Sequence, residues 1–338
     1  MQTPVKQASR RNSLKTTLAL TLAALSFSTG MGMAIAAPIL TTLPPGEAPI
    51  VSNTSVLHQT LKVGDVEVFY REAGDKTAPT IVLLHGFPTS SQMYRNLIPQ
   101  LAKQYHVIAP DLPGFGKTKI PANYTHSFDN ISKVTQAFLQ KKGVQHYSMY
   151  VMDYGAPVGW RLALANPEKV DSFIIQNGNA YEEGLREFWN PFRTYWKNND
   201  AASREALAGF LTLGATQWQY THGQPNLALI SPDAAVTDQY YLDQGNNKQA
   251  QLDLFYDYRT NLPLYPRVQS YFRQYQPKTL IVWGRNDEIF PFQGAEAYKK
   301  DLRQPNIHYL DGGHFVLESH GAQVAKLSLE FLKKVYGK

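Results

Sequence analysis

From residue 55 onward the chain alternates two hydrophobic rhythms. Short apolar runs bounded by turn residues predict strands, and longer runs with apolar residues three and four apart predict helices. Residues 58–63 and 66–71 are strand-like and split by Gly64-Asp65, the pattern of a hairpin. Thr80–Leu84 predicts a buried strand, 93–105 a helix, 106–109 a strand and 131–139 a helix. Tyr147–Met152 predicts a strand, Gly155–Ala165 an amphipathic helix and 170–175 another strand. Such alternation predicts an α/β fold, a mostly parallel sheet flanked by helices on both faces.

The rhythm stops after Asn179. From 181 to 265 no short apolar strand run recurs, and 15 of these 85 residues are aromatic, against 12% for the chain. That composition suits the roof of an apolar pocket. The rhythm resumes with strands at 279–283 and 307–310 and helices at 294–302 and 324–335. An inserted helical lid, or cap, between two parts of one sheet accounts for the break better than two tandem domains. The expected boundaries are 55–180 for the first part of the core, 181–265 for the cap and 266–338 for the second part. Residues 37–54, with Pro44-Pro45-Gly46, predict a flexible segment ahead of the core.

Chemistry-bearing residues fall where predicted strands end, which is where open α/β sheets bind ligands. Val151-Met152-Asp153-Tyr154-Gly155 joins an apolar strand to a helix, the layout of a nucleophile elbow. Elbows commonly carry Ser within G-x-S-x-G; this chain has no such motif, and Asp153 stands at the centre. A carboxylate nucleophile attacks carbon by displacement and is itself esterified, which suits epoxides and alkyl halides better than ordinary esters. His85-Gly86-Phe87-Pro88 follows an earlier strand. The amides of Phe87 and Tyr154 are the candidate oxyanion donors. Asp287, in Trp283-Gly284-Arg285-Asn286-Asp287, is placed to orient a base, and His314, after Asp311-Gly312-Gly313, to be that base. The order nucleophile, acid, histidine fits this arrangement.

Composition excludes several other chemistries. Without Cys there is no thiol catalysis, Cys zinc site or iron–sulfur ligation. The nine His show no metal-binding spacing, so no metal or other cofactor is expected. Gly116-Lys117-Thr118 has Asp111 where a phosphate loop needs its first Gly. The net charge of +6 includes Lys6, Arg10, Arg11 and Lys15 in the first 36 residues, and removing these four leaves +2. No nucleic-acid partner is therefore expected. Those 36 residues read as a signal peptide with a basic start, an apolar stretch and an Ala34-Ile35-Ala36 cleavage site. Ser9-Arg10-Arg11-Asn12-Ser13-Leu14-Lys15 is similar to a twin-arginine signal. Export to the periplasm or beyond is expected, with no stable membrane anchor after cleavage.

From about His58 to Val335 the chain resembles the α/β-hydrolase superfamily, specifically the epoxide hydrolase and haloalkane dehalogenase group with an Asp nucleophile. The resemblance rests on His85-Gly86-Phe87-Pro88, Asp111-Leu112-Pro113-Gly114-Phe115-Gly116, the Asp153 elbow, Asp287 and His314. It implies attack by Asp153, then hydrolysis of the ester by water activated at His314. Two branches stay open. In epoxide hydrolases two lid tyrosines protonate the ring oxygen. Tyr258-Arg259-Thr260-Asn261 is similar to the segment that carries one, and Tyr195 is the candidate for the other. Haloalkane dehalogenases cradle halide with N–H donors, commonly a Trp after the nucleophile, where Tyr154 stands here, plus Asn or a lid Trp. Phe87 stands where that Asn can occur, Trp196 is a candidate lid donor, and Val151 is closer to this branch. The resemblance favours a small apolar epoxide, with an alkyl halide as the alternative. A non-catalytic ligand-binding protein is the alternative of a different class.

The leader generates a prediction. N-terminal sequencing of the exported protein should begin near Ala37. Replacing Arg10 and Arg11 together by Lys should block export if the twin-arginine route is used, and unchanged export would indicate the general secretory route; recovery of full-length chain in the membrane fraction would refute the cleavage.

Overall fold

The computed structural model describes residues 52–337. The expected leader and residues 37–51 of the expected flexible segment lie outside the described residues. β1 (Leu57–Val63) and β2 (Val66–Ala73) pair antiparallel around Gly64, whose φ of 57° favours a residue without a Cβ. β3 (Thr80–Leu84), β4 (His106–Pro110), β5 (Tyr147–Met152), β6 (Val170–Gln176), β7 (Lys278–Gly284) and β8 (Asn306–Leu310) complete the sheet. The eight strands run in the order β1-β2-β4-β3-β5-β6-β7-β8. β2 is antiparallel to β4, and all pairs from β4 to β8 are parallel. The chain leaves β3 toward β4 on one side and returns to β5 on the other. That reversal opens a crevice at the carboxyl ends of β3 and β5.

Both faces of the sheet are covered. Val82 and Leu84 of β3 belong to one apolar cluster, and Ile81 and Leu83 to a second on the opposite face. This is the two-residue alternation of a strand buried on both sides. The helices are α1 (Ile98–Leu101), α2 (Phe128–Lys141), α3 (Gly155–Ala165), α4 (Asn190–Asn198), α5 (Ala201–Ala206) and α6 (Leu213–Thr221). They continue with α7 (Pro232–Leu242), α8 (Asn247–Asp257), α9 (Tyr265–Tyr275), α10 (Gln293–Ala297) and α11 (Val316–Tyr336). Residues 177–277, between β6 and β7, hold helices and turns and no strand. Among the described residues no helix is long and apolar enough to cross a membrane.

Four helical expectations shift. The single helix expected at 93–105 is a 3-10 turn, Ser91–Tyr94, followed by the short α1. Pro99 has no N–H to donate, so it sits only in a first turn and forces the restart. The helix expected at 294–302 is α10 plus a 3-10 turn, Tyr298–Lys300. The helix expected at 324–335 begins earlier, at Val316, and bends at His320, where φ is −119°. α3 is not amphipathic in place: it is buried on nearly every side because α2 and α9 pack on it as well as the sheet.

A Cβ on Gly155 would lie 2.0 Å from the Leu84 carbonyl oxygen, which is backbone and cannot step aside. Gly155→Ala should therefore cost more than ~3 kcal/mol of stability. Gly209, where an added Cβ would meet nothing within 4 Å, is the control. Gly209→Ala should stay within about 0.5 kcal/mol. Denaturant midpoints of the two variants check this, and equal midpoints would refute the steric argument.

Candidate active site

Asp153 lies between β5 and α3 with φ at 47°, a left-handed conformation that costs a non-glycine residue energy. The turn is held because Leu84 of β3 is in register with Val151 of β5, so the loop after β3 abuts the turn after β5. Gly86 makes the approach possible: a Cβ there would lie 2.2 Å from Asp153 Oδ1. The Phe87 amide donates to that same oxygen at 2.6 Å. The Tyr154 amide hydrogen-bonds the carboxyl as well. Asp153 is only 4% exposed. Burial is the main force raising its pKa, to about 6; His314 and the two amides oppose the rise, and Asp287 adds to it.

His314 follows β8 and is 3% exposed. Its Nδ1 lies 2.9 Å from Asp287 Oδ2, and its Nε2 lies 3.9 Å from Asp153 Oδ2. Nε2 is buried and makes no hydrogen bond. With Nδ1–H directed to Asp287, Nε2 carries the lone pair and faces the free oxygen of Asp153. Burial works to lower the His314 pKa, but the Asp287 carboxylate and then Asp153 outweigh it, and the net shift is upward. The two oxygens of Asp153 thus differ: Oδ1 is held by the Phe87 amide, and Oδ2 faces the imidazole.

Asp287 is fixed on both oxygens. Asn177 Nδ2 donates to Oδ2 at 2.7 Å, and the Ile289 amide donates to Oδ1 at 2.8 Å. Asn177 directly follows β6, has φ at 43°, and accepts the Gly284 amide at 3.0 Å on its own Oδ1. Its role was not anticipated from the sequence. The signal was there: a polar residue ahead of Gly178, just past the apolar run Phe173-Ile174-Ile175 at the carboxyl edge. His85 and Asp111 are structural. His85 Nε2 accepts the Leu112 amide at 2.9 Å, and burial lowers its pKa to about 4, so the ring is neutral. Asp111 accepts the Ser91 and Lys117 amides, each at 2.8 Å, which tie the loops after β3 and β4 together.

The helical segment contributes aromatic rings. Tyr258, in the 3-10 segment after α8, is buried beside Tyr154, with ring centroids 5.9 Å apart. Its hydroxyl lies 3.4 Å from that of Tyr265, which accepts Asn179 Nδ2 at 3.2 Å. Two expectations are corrected. The Tyr195 hydroxyl accepts Arg204 Nη1 at 2.9 Å, and its ring packs on Tyr256, so it is turned away from Asp153. The Trp196 ring stacks on Tyr258, but its indole N–H donates to the Phe255 carbonyl at 2.7 Å and is not free to hold a leaving group. Trp189 and Tyr265 stand closer to Tyr258 and were not anticipated. The Trp189 ring lies 4.4 Å from Tyr258, and its N–H donates to the Ile289 carbonyl at 2.7 Å. Tyr265 is seven residues beyond Tyr258, about two helical turns. Among the described residues no group of three or more His, Asp or Glu is placed to hold a metal ion.

The described geometry can be set beside known proteins. Residues 79–321 match the alpha/beta hydrolase fold family, and the chain belongs to it. It is an α/β-fold hydrolase. It is 44% identical to an uncharacterized hydrolase of Saccharomyces cerevisiae over 82% of this chain and 97% of the relative. A haloalkane dehalogenase of Psychrobacter cryohalolentis is 24% identical over 79% of this chain and 88% of the relative. Epoxide hydrolase 3 of Mus musculus is 22% identical over 82% of this chain and 77% of the relative. The chain is thus similar to members of both branches.

The buried charge at position 153 generates a prediction. Because the folded pKa is raised from 3.8 to about 6, the folded protein keeps a proton that the unfolded chain has lost. Stability attributable to this group falls as pH rises across that window and stays low above it. Asp153→Asn should therefore be more stable than the parent at pH 8, by on the order of 2 kcal/mol. The gain should shrink as pH falls below about 6 and vanish by pH ~3, where the carboxyl is protonated in both the folded and the unfolded chain. Unfolding curves at the two pH values check it, and a less stable variant at pH 8 would reverse the argument.

Proposed function

We propose that the protein hydrolyses small apolar epoxides to diols through an ester on Asp153. One observation carries the choice of epoxide over halide. The indole N–H groups of Trp189 and Trp196, the two ringed against Tyr258, are both spent on backbone carbonyls. Two phenol hydroxyls, Tyr258 and Tyr265, meet beside them. A departing halide needs free N–H donors in a dry pocket. An opening epoxide needs a proton for the oxygen left on carbon, and a positioned Tyr supplies one.

On this route Asp153 Oδ2 attacks a ring carbon and the C–O bond breaks. The alkoxide takes the Tyr258 proton, leaving a phenolate hydrogen-bonded to Tyr265. His314 Nε2 then takes a proton from water, whose oxygen adds to Cγ of Asp153. Negative charge develops on Oδ1, the oxygen already held by the Phe87 amide, with the Tyr154 amide beside the same carboxyl. The Cγ–Oδ2 bond breaks, and the departing alkoxide takes the imidazolium proton. The regenerated carboxylic acid returns its remaining proton to the phenolate. Asp287 keeps the imidazole in the tautomer that the second step needs. The helical segment between β6 and β7 serves as the lid that excludes bulk water.

The test is a panel of small aryl and alkyl epoxides against 1-bromo- and 1-chloroalkanes. Diol with little halide release is expected. His314→Gln should accumulate an adduct on the Asp153 peptide, seen by mass spectrometry. Tyr258→Phe should lower epoxide turnover ~100-fold. In ¹⁸O-water, a single turnover with enzyme in excess should give unlabelled diol, because that oxygen comes from Asp153. Halide release without diol would overturn the epoxide reading, and labelled diol in the single turnover would overturn the ester.

A further inference from the structure

Asp238, on α7, is a buried acid that the proposed reaction does not use, at 1% exposure. It accepts the Tyr220 hydroxyl of α6 at 2.5 Å. The Thr89 hydroxyl, which donates to the Ser90 carbonyl at 3.3 Å, also acts on the same carboxyl. Each partner leads into the active site. The Tyr220 ring lies flat on Phe315, with centroids 4.1 Å apart and planes 6° from parallel. Phe315 directly follows His314 and precedes the first turn of α11. Thr89 is two residues beyond Phe87, whose amide holds Asp153 Oδ1. One carboxyl on the helical segment therefore touches the supports of both the base and the oxyanion donor.

The surroundings account for its state. Arg95, in the loop after β3, forms a two-pronged ion pair with Glu318 of α11, both contacts at 2.8 Å. Arg71 of β2 and Tyr241 of α7 also sense the Asp238 charge. Burial dominates and raises the Asp238 pKa to about 7; the Tyr220 and Thr89 hydroxyls oppose it, Glu318 adds to it and Arg95 opposes it. A buried carboxyl held this way is costly, and a Leu of similar volume would pack there with less penalty. What a Leu lacks is an acceptor that fixes the rotation of the Tyr220 ring. Without that bond the ring is free to slide on Phe315, and displacements of about 1 Å at a base cost large factors in rate.

We propose that Asp238 is a positioning residue: it anchors Tyr220 against Phe315 and so holds His314 in line between Asp287 and Asp153. This rests on the reading of His314 as the base. Tyr220→Phe removes the hydroxyl and keeps the ring, so it tests the bond with little change in packing. Asp238→Leu removes the acceptor, and Asp238→Asn keeps one.

The first readout needs no substrate. The His314 Nδ1–H bonded to Asp287 should give a downfield proton resonance in the parent. It should shift or broaden in Tyr220→Phe and Asp238→Leu, and stay near its parental position in Asp238→Asn. The second readout is kinetic, on folded protein and with an epoxide. Tyr220→Phe should lower kcat about tenfold with KM unchanged or lower, while the ester on Asp153 accumulates. Asp238→Asn should recover most of the turnover. An unchanged resonance in Tyr220→Phe would overturn the proposal, as would a loss of rate that tracks melting temperature equally in all three variants. If His314→Gln forms no ester with any epoxide, the epoxide reading falls instead, and the resonance still decides the role of Asp238.

Discussion

The site depends on one close approach, that of the loop after β3 to the turn after β5. Asp153 takes a left-handed backbone that a carboxylate residue does not choose on its own. It is kept there by contact on two sides. Gly155 presses against the Leu84 carbonyl, and Gly86 presses against the Asp153 side chain, each at a distance that leaves no room for a Cβ. The parallel register of β3 and β5 forces both contacts at once. Strain at the turn is thus balanced by a sheet whose strands are buried on both faces. The same approach brings the Phe87 amide onto Asp153 Oδ1.

Placing two carboxylates and an imidazole together without water has a cost that the surrounding donors reduce. Asp287 is surrounded by donors from Asn177, Ile289 and His314. Asp153 has two amides on its carboxyl and a facing imidazole, and burial still raises its pKa. The two carboxylates differ in the number and position of their donors. Asp287 has a donor on each oxygen, whereas Asp153 keeps one oxygen facing the imidazole.

The core of this arrangement was legible in the sequence because each part is punctuated. Asp153, Asp287 and His314 each follow an apolar run, and Gly155, Gly284 and Gly313 mark the sharp turns beside them. Strand positions were legible for the same reason: Thr80–Leu84 and Tyr147–Met152 occur where the apolar runs put them. The helical segment resisted because its aromatics occur at nearly every helical phase. Tyr195 and Trp196 are neighbours on α4, so they project about 100° apart and cannot share one target. Which of them faces inward depends on how α4 packs on α8, and that is a tertiary choice. Asn177 was missed because its work is done through Gly284 and Asp287, more than a hundred residues away.

The helical segment is also tied to the loop that carries Asp287. Trp189 bonds Ile289, two residues from Asp287, and Asn286 Nδ2 donates to the Gly223 carbonyl at 2.9 Å. His314 has a matching dependence on Asp153. Asp153 is one of the charges that raise the His314 pKa. On the proposed route, ester formation removes that charge while leaving Asp287 in place. The imidazole then has less reason to hold a proton at the moment when it must accept one from water. On that route a buried pair 3.9 Å apart would link the two steps in order, because forming the ester would itself ready the imidazole to cleave it.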